Sequence, residues 1–64
     1  MIHGQTYQHV HYPQRFTCTL IDYTAKGVKV EQTESYPDRP RKKPKVTQAH
    51  YSLAESKELW EPKD

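Results

Sequence analysis

Apolar and polar positions alternate most cleanly between residues 16 and 23, where Phe16, Cys18 and Leu20 share one face and Thr17 and Thr19 the other. That period of two is the pattern of a half-buried strand, and β-branched and aromatic residues suit its pleated surface. The adjacent apolar pair Leu20-Ile21 breaks the alternation and predicts a bulge or burial on both faces. Val28 to Glu34 alternates again, apolar inward and charged outward. Between the two, Thr24-Ala25-Lys26-Gly27 supplies a turn in which Gly27 can take positive φ without steric cost. Residues 16–34 therefore read as a hairpin. Residues 5–12 read as a first strand, closed by the turn chemistry of Pro13-Gln14, and residues 46–51 return as a strand paired with 28–36.

The period changes at Ser52. Ser52-Leu-Ala-Glu55 fits a capping box, so a helix of about two turns is expected through Leu59-Trp60, with Pro62 forbidding much continuation. Leu53 and Trp60 lie seven apart, which predicts one helical face closing over the sheet. Trp60 is expected in the core, leaving Tyr7, Tyr12, Tyr23 and Tyr36 as the exposed aromatics. No internal repeat is visible.

Composition bounds this picture. Only ten of the 64 residues are Leu, Ile, Val or Phe, fewer than the roughly one in five below which chains tend to disorder. The net charge is only +2, however, and five Tyr and one Trp add burial area. A single small domain over 1–64 follows. No apolar run is long enough to span a membrane and no apolar segment follows Met1, so no membrane role and a cytoplasmic location are expected. With one cysteine the chain forms no internal disulfide and no Cys-rich zinc module.

The charges are segregated. Residues 1–38 carry a net of −1 and residues 46–64 a net of −2, whereas Arg39, Arg41, Lys42, Lys43 and Lys45 give residues 39–45 a net of +5. Pro37, Pro40 and Pro44 punctuate that stretch, so residues 37–45 are expected to be an exposed, extended loop with polyproline-like preference.

Gly4 and Tyr7, Phe16 to Leu20, Val28 and Val30, then Tyr51, Leu53 and Trp60 give an outline of glycine and aromatic, hairpin, Val-x-Val strand and aromatic-anchored tail. In this outline the chain resembles the small SH3-like β-barrel proteins of tailed phages and prophages. The resemblance implies a mainly β fold, a small SH3-like partial barrel with a short C-terminal helix. It also implies a phage-encoded protein that works by stoichiometric binding in the host cytoplasm. The basic loop is longer, and the last aromatic later, than that outline requires.

Among candidate sites the basic loop stands first. Arg39, Arg41, Lys42, Lys43 and Lys45, with Tyr36 as an apolar anchor, suit contact with an acidic protein surface or with phosphates; the bland reading is a solvated, solubilising loop. Pro37 to Lys42 also fits a loose proline-rich ligand pattern, read here as chance, and in a eukaryotic setting the cations would suit nuclear import. Single-strand binders interleave aromatics with cations, and near the loop only Tyr36, and Tyr51 across it, is in view. His9 and His11 are spaced to share a strand face and His3 or His50 could join them, but no carboxylate or thiol has matching spacing, so exposed strand histidines and no metal are expected. Cys18 falls on the Phe16 and Leu20 face and reads as a small core hydrophobe. No nucleophile motif, phosphate loop or carboxylate pair appears, and so short a chain is not expected to build a water-excluding pocket. The expectation is a non-enzymatic protein, without cofactor, that binds and inhibits or redirects a host protein; the alternative is a small nucleic-acid-binding protein using residues 39–45. It is expected to be monomeric or weakly dimeric, with 28–36 as the edge that could pair between copies.

Overall fold

The computed structural model describes residues 1–63. Five strands, β1 (Thr6–His9), β2 (Phe16–Thr24), β3 (Gly27–Glu34), β4 (Lys45–Tyr51) and β5 (Trp60–Pro62), form one antiparallel sheet in the order β4-β3-β2-β1-β5. A helix, α1 (Leu53–Leu59), joins β4 to β5.

The expected hairpin is present. β2 and β3 pair from Phe16↔Glu34 to Thr24↔Gly27, and the register slips between Leu20 and Asp22, which turns Ile21 out to solvent. Alternation does the rest: Cys18, Leu20, Val28 and Val30 face inward, and the two valines are fully buried. Tyr7 on β1 and Trp60 on β5 complete the core, with Met1, Phe16, Ala49, Tyr51 and Leu59 half-buried around it. Burial of this apolar area is the main stabilising term for so small a sheet.

Ser52 caps α1 as expected: the Glu55 amide donates to Ser52 Oγ at 3.1 Å, and the Ser52 amide donates to Glu55 Oε1 at 3.2 Å. Both bonds satisfy donors that a helix start leaves free. The helix has the expected length of about two turns and ends at Leu59, where Trp60 leaves the helical conformation (φ −123°, ψ 134°) and opens β5. β5 pairs with β1 through His9↔Trp60, Gln8↔Glu61 and Tyr7↔Pro62. Trp60 thus enters the core from a strand, and Leu53, expected beside it, is 53 % exposed. Tyr51, at the end of β4, meets the Trp60 ring edge-on at 5.9 Å.

Four further expectations need correction. Tyr7 is buried, not exposed, and its hydroxyl accepts from the Ile2 amide at 2.8 Å, tying the N-terminal segment to the core. The first strand spans only 6–9 because the chain turns at residues 12–15, where the Arg15 and Phe16 amides both donate to the Tyr12 carbonyl. The 28–36 segment is no edge: β3 is bonded on both sides and β4 is the outer strand. Finally, the sheet is open, not a partial barrel. Its outer strands β4 and β5 are not partners in the sheet order; β5 has three residues ending in a proline that lacks an amide, and α1 stands between the two in the chain.

Candidate functional site

The basic loop is not extended. The Arg39 amide donates to the Tyr36 carbonyl at 2.9 Å, and the Lys42 amide to the Arg39 carbonyl at 3.0 Å, so two successive turns curl residues 36–42 back on themselves. Prolines at 37 and 40 each follow the residue whose carbonyl accepts, the position at which their fixed φ favours such turns. The curl places Lys42 Nζ 4.2 Å from the centroid of the half-buried Tyr36 ring, a cation–π contact.

Opposite the loop lies the β1–β2 connection. Its position follows from the hairpin register, since the pair Phe16↔Glu34 makes Arg15 and Ser35 neighbours. The Ser35 amide donates to the Arg15 carbonyl at 2.7 Å, and the Arg15 guanidinium donates from Nε and Nη2 to Glu34 Oε2 at 3.1 and 3.0 Å. An exposed pair of this kind contributes at most about 1 kcal/mol; what it does here is hold two loops side by side.

Between them opens a cleft of about 620 Å³, with His11, Tyr12 and Arg15 on one wall and Tyr36, Arg39 and Lys42 on the other. Of the proposed contact residues, Tyr36, Arg39 and Lys42 line the cleft. Arg41 and Lys43 stand on the exposed loop outside it, and Lys45 opens β4. Among the described residues the single ion pair is Arg15–Glu34, so none of the five loop cations is neutralised by Glu55, Glu58 or Glu61. The cleft is open to solvent, for Tyr12, Arg15, Arg39 and Lys42 are all exposed. Such walls suit contact with a macromolecule and do not isolate a reaction from solvent.

His11, Tyr12 and Arg15 were missed by reasoning from sequence about the site. The signal was present in the predicted hairpin, because any pairing that sets Phe16 near Glu34 brings the preceding loop against the one that follows.

His11 belongs to the cleft, and His9 packs behind it. The His9 ring lies 5.4 Å from Trp60, 5.4 Å from Tyr12 and 5.9 Å from Phe16, and its Nδ1 accepts from the His11 amide. His9 is therefore a half-buried packing residue and not the exposed histidine expected, whereas His11 is exposed. Burial, and then the nearby His11, lowers the His9 pKa below its usual 6.5. Among the described residues no cluster of His, Cys, Asp and Glu could hold a metal ion. Cys18 is 2 % exposed, and burial pushes its thiol up to about 12, which makes it a poor nucleophile.

Among the described residues no helix is long and apolar enough to cross a membrane. No family model, no curated protein and no solved structure matches the chain. Together with the open sheet, this overturns the resemblance to SH3-like barrel proteins of phages and prophages, and the phage origin and host-takeover role that it implied.

Proposed function

We propose that this chain is a non-enzymatic binding protein that docks an acidic surface of another protein on its basic loop. The carrying observation is the set Arg39, Arg41, Lys42, Lys43 and Lys45, which has no acidic partner among the described residues and borders an aromatic-lined cleft. Unpaired cations on a scaffold that is otherwise mildly acidic concentrate positive potential at one place, steering an acidic partner there. Tyr36 and Tyr12 add apolar surface of the type found at interface anchors.

A second reading is favoured by one observation. Tyr12 joins Tyr36 on the cleft beside Arg39 and Lys42, so aromatic rings and cations are interleaved as single-stranded nucleic acid requires.

Both are tested by fluorescence anisotropy. A labelled peptide of Glu and Asp and a labelled single-stranded oligonucleotide are titrated at low salt and at physiological ionic strength. The proposal expects peptide binding that weakens with salt and is lost when all five loop cations are changed to Gln. Oligonucleotide binding that drops with Tyr12→Ala and Tyr36→Ala, alongside an indifferent peptide, would favour nucleic acid instead. Binding of neither at low salt would overturn both readings.

A further inference from the structure

We propose that the free edge of β4 is a strand-addition site for an extended acidic peptide of the partner protein, a proposal that rests on the acidic-partner reading of the loop. In an antiparallel ladder alternate residues of an outer strand turn their N–H and C=O groups away from the sheet, where they can bond a further strand. The two edges of this sheet differ in how well they are protected. β5 is three residues long and ends in Pro62, the usual devices that blunt an edge. β4 is seven residues long, contains no proline, and pairs with β3 in unbroken register from Val28↔Tyr51 to Glu34↔Lys45. Lys45, Val46, Thr47 and Gln48 are all exposed, so neither face of the first half of the strand is covered; Val46 is 56 % exposed.

Charge selects the occupant. Residues 43–51 contain Lys43, Lys45 and His50 and no acid. On the adjoining β3, Glu34 is occupied by Arg15, and Glu31 lies opposite Gln48 in the middle of β4. A second copy pairing through its own β4 would bring the same basic segment, with no acid in residues 43–51 to answer Lys43 and Lys45. An acidic strand meets Lys43 and Lys45 where β4 begins and continues onto the loop, so backbone pairing supplies the binding mode and the cations select the sequence.

The test uses a synthetic proline-free peptide of alternating Glu and Thr, long enough to cover β4, and two versions of it N-methylated at alternate residues in opposite phase. The protein is left unaltered, so folding is not in question. Strand addition requires one phase to lose at least about tenfold in affinity while the other keeps it, because only one set of peptide amides faces β4. In amide exchange, residues of β4 should gain protection when the unmethylated peptide is added. Equal binding by all three peptides would overturn the edge site and leave the loop as a purely electrostatic contact. Failure of the unmethylated peptide at low salt would remove the acidic-partner reading together with the edge site. Dimerisation through β4, seen by sedimentation without peptide binding, would overturn the choice of occupant.

Discussion

Gly27 opens β3 at φ 145°, and a Cβ built there would lie 2.1 Å from the Tyr51 carbonyl oxygen and 2.8 Å from Ser52 Cα. Backbone atoms at a strand–helix junction cannot give way as a side-chain tip can. Gly27→Ala is therefore expected to cost well over about 1 kcal/mol, combining an unfavourable φ with a clash; a denaturation midpoint equal to wild type would contradict it. His9 makes a pH-dependent prediction. Its pKa is lowered on folding by burial and by His11, so the unfolded chain binds its proton more readily than the folded one. Stability is then full above 6.5 and is lost as pH falls through 6.5 toward the lower folded value. The unfolding midpoint should drop between about pH 7.5 and about pH 5.5, and His9→Gln should flatten that slope. A wild-type profile flat over this window would sink the assignment.

At the scale of elements, the capping box makes α1 a defined unit despite its seven residues. Ser52→Ala removes the Oγ acceptor of the Glu55 amide, and a loss of about 1 kcal/mol is expected in chemical denaturation. What could be read from sequence follows the strength of local signals. Strict alternation located β2 and β3, the Leu20-Ile21 doublet located the bulge, and Ser52 with Glu55 located the start of the helix. β5 escaped because three residues carry no period, and Leu59-Trp60 continued a helical spacing that the chain abandons to pair with β1. The loop was misread for a related reason: prolines fit both an extended segment and consecutive turns. The turns go with one contact distant in sequence, the Ser35–Arg15 bond at the base of the loop, and with the Lys42–Tyr36 stack inside it. Of the site, the cations were legible as a run of charge, while the opposite wall, His11, Tyr12 and Arg15, becomes visible only once the hairpin register is drawn.

Across the protein, positive charge gathers where the sheet is least protected. The loop cations, the cleft and the start of β4 adjoin one another, since Lys45 both ends the loop and opens the strand. The helix carries Glu55 and Glu58 and forms no ion pair with the loop among the described residues, so it does not mask this charge. The most direct measurement is a ¹⁵N chemical-shift titration of the protein with an acidic peptide at low salt. We expect the perturbed amides to fall on residues 11–15 and 35–48, and to recover as salt is raised. Shifts gathered instead on α1 and β5, or shifts indifferent to salt, would contradict a docking surface built on the basic loop.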